Sequence, residues 1–416
     1  MTLRVNRERL GQNLEALSQI GKSPRGGINR ALGSEAEREA RRWLCGYWET
    51  HLHKTAAPDA AANLWVVRPG DACKAKIAFG SHHDTVTEGG KFDGALGVLL
   101  ATEILETLEE THTPTRHPFA LVSFTGEEPN PFHVSTLGSK VLSGRLHRAD
   151  LEHLENAQTH APFSETLAAL GGDLQKIDEA LLSPADVCAF LECHIEQGRR
   201  LLDKNLPLAA VGKITGIYRE DITVHGEANH AGTTVMRDRH DALLAACALN
   251  LAFERALRAV DRDDVTGTVG QLLVFPNSVN IIPGAVVLTL EIRTCDEAIL
   301  ETLREAVTRA AAAIEAQRGV QIERQVNLNQ APAPMSPVLQ DALLQAFSDL
   351  GQPPCTLTSM AGHDAVNVAR RTRAGMLFVR SNGKSHCAGE DASLDDIELA
   401  GNAMLQALLR LDQELE

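Results

Sequence analysis

The chain has no CxxC pair, no internal repeat, no low-complexity tract and no apolar stretch approaching a membrane span. Its eight cysteines, from Cys45 to Cys387, are scattered, a usage that fits reduced thiols better than a disulfide framework. Residues 1–20 mix Arg4, Arg7, Glu8 and Arg9 with leucines at helical spacing, and hold no apolar core for a signal peptide. The expected compartment is the cytoplasm, and no membrane partner is expected. Positive charge is in deficit, with 40 Lys and Arg against 55 Asp and Glu and a net charge of −15. That balance argues against nucleic acid or anionic membrane as a main partner. An anionic small molecule stays possible, because a local arginine can bind it.

What is present is a globular composition, 44% hydrophobic and 23% charged. At 416 residues the chain is too long for one ordinary core, so two domains are expected. Up to about Leu206, apolar runs at 75–80, 119–124 and 187–194 read as buried strands, with helices at 36–51 and 97–108. Alternation of this kind predicts an α/β sheet with helices on both faces. Residues 109–186 are more polar and irregular, with a helical piece near 163–169.

From about Gly212 the pattern changes to alternating strands at 222–225, 266–274, 286–292 and 320–325, with helices at 241–257 and 297–318. This βαββαβ order predicts a smaller α+β sheet with two helices on one face. The first pattern resumes with a helix at 337–350, a strand at 375–380 and a helix at 394–411. The smaller domain, 212–327, is therefore expected as an insertion between two parts of the larger one, 1–211 and 328–416.

The chemistry gathers at strand ends. The run 75–80 leads into Ser81-His82-His83-Asp84-Thr85-Val86, followed by Gly89-Gly90-Lys91-Phe92-Asp93-Gly94. Alone, a His and a carboxylate two residues on are better explained by a surface turn. The second run ends in Thr125-Gly126-Glu127-Glu128, where one carboxylate can bind a metal while its neighbour takes a proton from attacking water. The third ends in Glu192-Cys193-His194-Ile195-Glu196-Gln197-Gly198, and the last strand is followed by Asn382-Gly383-Lys384-Ser385-His386. Four strands thus each deliver a His, Asp or Glu to a C-terminal end, where α/β sheets gather ligands. If Asp93 bridges, His82, Asp93, Glu128, His194 and His386 give each of two metals three ligands and open positions.

These motifs resemble those of the M20-type metal-dependent amidohydrolases, and within them the hydantoinase/carbamoylase branch. Further matching segments are Asn229-His230-Ala231-Gly232-Thr233-Thr234, Val279-Asn280-Ile281-Ile282-Pro283-Gly284 and Ala361-Gly362-His363-Asp364-Ala365. The resemblance implies a metallo-exopeptidase-like α/β domain with an inserted domain that mediates homodimerisation. It implies His82, Asp93 and His194 on one divalent metal and Asp93, Glu128 and His386 on the other. Zinc is the expected ion, and manganese, cobalt or nickel suit the same donors. Asp84 would orient His82, Glu127 would be the general base, and His230 would stabilise the oxyanion. Gln197, Asn280 and Arg293 would bind the substrate, with His363 and Asp364 in support and His83 pointing away.

The implied activity is hydrolysis of the ureido C–N bond of N-carbamoyl amino acids or a related acid such as allantoate. The competing readings are an N-acyl-amino-acid amidase or dipeptidase, and a non-catalytic metal-dependent binding protein. The presence of Glu127 speaks against the last, because binding alone needs no base. The chain departs from the branch at Pro129-Asn130-Pro131-Phe132, where Gly-x-Arg-Phe is usual. It departs again at Lys384-Ser385-His386-Cys387-Ala388-Gly389-Glu390 and at Thr234-Val235-Met236.

Overall fold

The computed structural model describes residues 3–72 and 74–416. Its main strands are β1 (Leu64–Arg68), β2 (Lys76–His82), β3 (Phe119–Phe124), β4 (Val187–Ile195), β5 (Leu208–Ile214), β6 (Gly216–His225), β7 (Val265–Phe275), β8 (Ala285–Thr294), β9 (Gln321–Gln330) and β10 (Arg373–Val379). The longer helices are α1 (Arg7–Ser18), α2 (Glu35–Tyr47), α3 (Ala95–Glu110), α4 (Ala242–Val260), α5 (Glu297–Arg318), α6 (Pro337–Asp349) and α7 (Leu394–Glu414).

The chain forms two compact units, one of residues 1–212 and 334–416, the other of residues 213–333. In the first, a nine-stranded sheet runs Ala57–Pro58, β1, β3, β2, β4, β10, β5 and Ala333–Pro334, with Thr356–Ser359 paired to β5. Strands β3, β2, β4 and β10 are mutually parallel, so their C-terminal ends share one edge. These strands are buried along almost their whole length, which is why they read as unbroken apolar runs rather than alternating ones.

Helix α3 is apolar nearly all round and buried from Ala95 to Leu108. It packs on β2, β3 and β4 on one side and on α1 and α7 on the other. Gly97 makes the contact with the sheet possible, because a Cβ there would lie 2.4 Å from the Cys193 carbonyl oxygen and 2.6 Å from Ser81 Cβ. At the other end of the same turn, Gly94 has φ +66, and a Cβ on it would lie 2.2 Å from the His82 ring. The start of α3 therefore lies hard against the strand that carries His82.

The second unit is a four-stranded antiparallel sheet in the order β9, β6, β8, β7, with α4 and α5 packed on it. Burial alternates strictly along β8, with Val286, Leu288, Leu290 and Ile292 on the helix side. Asp241 and Asp296 cap the two helices by accepting from the amides two and three residues on. The strand expected over 320–325 continues to Gln330, because its polar alternation suits a sheet face that is not covered. The helix expected over 36–51 instead ends at Tyr47 and passes into a π-helical turn, Trp48–Leu52.

Gly97→Ala should lower stability by about 1–3 kcal/mol, as expected for overpacking against backbone. Urea unfolding of the purified variant measures this; an unchanged midpoint would show that α3 can shift freely.

Candidate metal centre

Backbone hydrogen bonds and motif glycines bring five donors to the shared strand edge. His82 ends β2, His194 sits near the end of β4, and Glu128 lies in the turn after β3. His386 follows β10, and Asp93 precedes α3. Among the described residues, two groups have ligand atoms within 4.8 Å of one another: His82, Asp93 and His194, and Asp93, Glu128 and His386.

Asp93 faces both ways. Its Oδ1 is 3.6 Å from His82 Nε2 and 3.1 Å from His194 Nε2, while its Oδ2 is 3.5 Å from His386 Nε2. Glu128 Oε1 is 3.6 Å from His386 Nε2. The far nitrogens of two imidazoles are engaged, His82 Nδ1 with the Asp84 carbonyl at 3.1 Å and His194 Nδ1 with the Ile195 carbonyl at 2.9 Å. A proton on each Nδ1 leaves both Nε2 lone pairs directed at Asp93.

Burial and crowding set the charges here. Burial raises Glu127 well above the usual carboxylate range, and the charges of Glu128, Asp364 and Asp84 add to it against His82. Glu128 is pushed up to about 8, first by burial and then by Asp93. Burial pulls the His82 imidazole down, but its hydrogen bond to Asp84 and the charges of Glu127 and Glu128 raise it well above normal. Asp93, although buried, is held low by His194 and His82.

The donor set fits divalent cations. Glu128 Oε1 is buried without a hydrogen-bond partner, a costly state for a carboxylate oxygen that a cation would relieve. Two His/carboxylate triplets sharing one Asp match borderline transition-metal chemistry.

Asp84 anchors the arrangement from behind. Its two carboxylate oxygens accept the backbone amides of Glu127 at 3.2 Å and Glu128 at 3.0 Å. Its Oδ1 also lies 3.5 Å from His82 Nδ1. Glu127 belongs to neither triplet, and its Oε2 is 3.7 Å from His82 Nε2. His83 turns the other way, to Ser123 Oγ at 2.7 Å and the Glu37 carboxylate at 3.4 Å. Gln197, with φ +61, donates from Nε2 to Asp93 Oδ2 at 2.7 Å. His363 Nε2 is 2.8 Å from Ser359 Oγ, and its ring meets that of His194 edge-on at 4.6 Å. Cys193 is buried in the core, where burial pushes its thiol up, so it has no nucleophilic character.

Residues 78–410 match the model of peptidase family M20/M25/M40. The chain belongs to that family. It is 34% identical over 412 residues, 98% of this chain and 99% of the other, to an N-carbamoyl-L-amino acid amidohydrolase of Geobacillus stearothermophilus. It is 30% identical to a ureidoglycolate hydrolase of Arabidopsis thaliana, over 95% of this chain and 84% of that one. A hydantoinase/carbamoylase family amidase from Burkholderia multivorans superposes with a TM-score of 0.88 at 30% identity, covering 98% of both chains. The M20 mixed α/β fold is thus shared along the whole length.

His230, Asn280 and Arg293 lie in the second unit of this M20 chain. Asn229–His230 pairs with Ile281–Ile282 in a two-stranded ribbon. His230 Nδ1 accepts the amides of Gly232 at 3.0 Å and Thr233 at 3.1 Å, so the ring proton is on Nε2. Asn280 Oδ1 accepts from Ser278 Oγ at 2.9 Å, and Arg293 Nε donates to Glu291 at 2.7 Å.

One contributor escaped the sequence reading. Glu390 Oε1 accepts the amides of Phe92 at 2.9 Å and Asp93 at 3.1 Å. Its Oε2 accepts at 3.2 Å from Ser385 Oγ, which donates to Asp93 Oδ2 at 2.8 Å. Glu390 is thus a positioning residue for Asp93; the signal for it was its place at the end of the His386 motif.

Chelation should lower the melting temperature, because ligands bound only to the folded state stabilise it, by about 2.7 kcal/mol at a hundredfold excess over Kd. Differential scanning fluorimetry with and without added zinc or manganese reads this. Glu390→Ala should weaken divalent-ion affinity about 10–100-fold, as loss of a supporting partner commonly does. Glu390→Gln keeps the amide-accepting oxygen and should retain most of that affinity by titration calorimetry. Equal affinities for Ala and wild type would remove the positioning role.

Proposed function

We propose that this M20 enzyme hydrolyses the ureido C–N bond of N-carbamoyl amino acids or a related ureido acid such as allantoate. The observation that carries hydrolysis is Glu127, a buried carboxylate beside a two-sided donor set to which it does not belong. A metal store needs no such group. The ureido class is supported by full-length relatives named as N-carbamoyl-L-amino-acid amidohydrolases and ureidoglycolate hydrolases at 30–34% identity.

In this reading His82, Asp93 and His194 hold one divalent ion and Asp93, Glu128 and His386 the other, zinc first among the candidates. Bound ions of this kind supply Lewis acidity that makes water easier to deprotonate and a resonance-stabilised carbonyl more electrophilic. Asp84 keeps His82 and the Glu127-Glu128 turn in register. Glu127 takes the proton from the attacking water and returns it to the leaving nitrogen. The products are the free amino acid and carbamate, which breaks down to carbon dioxide and ammonia. His230, whose proton sits on Nε2, donates to the developing oxyanion, a contact commonly worth about 10²–10³ in turnover. Gln197, Asn280 and Arg293 hold the substrate, with Arg293 on its carboxylate.

The second unit also supports a homodimer. Edge strand β7 exposes Leu272, Leu273 and Phe275, and α4 exposes Leu244 and Leu251. An edge with that much apolar surface is normally covered. Among the described residues no helix is long and apolar enough to cross a membrane. The seven described cysteines are unpaired, which supports a reducing compartment such as the cytoplasm.

Glu127→Gln should bind the same metal load by elemental analysis yet lose about 10²–10⁴ in turnover, the usual share of a general base. Ammonia release should be seen with N-carbamoyl amino acids or allantoate, and no free amino acid should form from N-acyl amino acids. Full activity in Glu127→Gln, or amide cleavage confined to acyl substrates, would overturn the proposal.

A further inference from the structure

On the second unit's sheet, the face opposite α4 and α5 carries three charged side chains in contact. Glu291 and Arg293 are two residues apart on β8 and so share that face, and Arg219 on β6 stands opposite Glu291. Glu291 accepts from both arginines, through Oε1 from Arg293 Nε at 2.7 Å and through Oε2 from Arg219 Nε. Its side chain is 15% exposed, against 27% for Arg293 and 44% for Arg219, so the carboxylate is the inner member. Burial would raise it, yet Arg293 and Arg219 hold it below the ordinary glutamate range. The register partners of Arg293 are Ile217 and Thr266, and those of Glu291 are Arg219 and Thr268, so Glu291 is the carboxylate of these two rows. Asp221, the next acid along β6 on this face, is engaged by Thr289 Oγ1 at 2.7 Å.

An ordinary cross-strand ion pair needs only Arg219 and Glu291. The third member gives the pair another consequence. With Oε2 fixed by Arg219, Oε1 is held at Arg293 Nε, and a contact at Nε sets the plane of the guanidinium. That plane is what a carboxylate must match to receive two parallel N–H bonds. An arginine without such a contact samples many rotamers, and they must be given up when a ligand binds. Two cations to one anion also leave the trio positive, so Glu291 can orient Arg293 without cancelling its attraction for an anion.

We infer that Glu291, anchored by Arg219, is a positioning residue that holds Arg293 in the orientation in which it takes the substrate's carboxylate. The inference rests on the reading above, in which Arg293 binds that carboxylate, and adds two residues that act through it.

The test measures kcat and KM for N-carbamoyl and N-acetyl amino acids, each as the free acid and as the methylamide, which offers no carboxylate. The variants are Glu291→Ala, Glu291→Gln, Arg219→Ala, Arg293→Ala and the Glu291→Ala/Arg293→Ala double variant. Arg293→Ala should raise KM for the acids about tenfold or more, as loss of a charged hydrogen bond commonly does. Glu291→Ala should raise it about 3–10-fold, the cost of ordering one rotamer-rich side chain on binding, and the change should fall on KM rather than kcat. Glu291→Gln keeps an acceptor for Nε and should retain most of the affinity. Arg219 is exposed, so Arg219→Ala should fold even if Glu291→Ala does not, and it should shift KM in the same direction. In the double variant the change at Glu291 should add nothing, because its effect runs through Arg293. The methylamides should be much less affected. A wild-type KM in both Glu291→Ala and Arg219→Ala would overturn the inference and leave the role of Arg293 standing. So would a rise from Glu291→Ala that is undiminished in the Arg293→Ala background or on the methylamides. An unchanged KM in Arg293→Ala would overturn that role and the inference with it. Turnover of the acetyl series alone would sink the ureido reading, and the KM pattern in that series would still decide the positioning role. Turnover of neither series would overturn both.

Discussion

The Asp84 carboxylate is the constraint on which the rest of the centre depends. It is buried, and a buried charge persists only where it is paired and hydrogen-bonded. Here it receives the amides of both Glu127 and Glu128 and lies against the His82 imidazole. Burial would raise it, yet the hydrogen bond and charge of His82 hold it below the ordinary aspartate range. One ionised group therefore locks the end of β2 to the turn after β3. That turn must present Glu127 toward the cluster and Glu128 into it, and free rotation of either peptide would separate base from donors.

Much of this was legible in the sequence because the strands are buried on both faces. Unbroken apolar runs marked β2, β3 and β4, and the polar residues that follow each run marked its C-terminal end. Alternation marked the second sheet for the opposite reason, since only one of its faces is covered by α4 and α5. What sequence reading could not see were contacts between distant segments. Glu390 binds the Asp93 amide across 297 positions, and its place at the end of the His386 motif says nothing of that partner. The backbone amides that Asp84 accepts are equally silent, because every non-proline residue has one. Strand β9 was underestimated because residues 326–330 are mostly polar, and a polar stretch on an uncovered face looks like a loop.

Beneath the centre lies a second buried charge of opposite sign. Arg30 is fully buried, and its Nε donates to the His83 carbonyl at 2.6 Å. One Nη donates to the carbonyls of Leu17 and Ile20 at 3.0 and 3.2 Å. Burial lowers it to about 10, against the pull of Asp84 and Glu37, so it stays cationic at neutral pH. It offsets part of the negative charge that Asp84 and Glu37 bring into the interior, and it holds the loop that follows His82.

The same N-terminal segment connects this support to a cavity of about 570 Å³ beside the turns after β2 and β3. Residues Arg30 and Thr85 exchange backbone and side-chain hydrogen bonds at 3.0 and 3.1 Å, and Ile28 pairs with Gly89. Asn29 and Ser34, on either side of Arg30, then form part of the cavity wall. The opposite wall is an arch that grips the carbonyls of Glu127 and Glu128. Both walls are thus extensions of the elements that set the donor geometry. Asn29 exchanges hydrogen bonds with the Glu88 side chain and amide, at 2.9 and 2.8 Å, and Asn130 holds the Glu128 carbonyl at 3.1 Å. The outer segment that carries Gln158 is tied to the same arch, through the Ala157 amide and the Pro131 carbonyl at 2.9 Å.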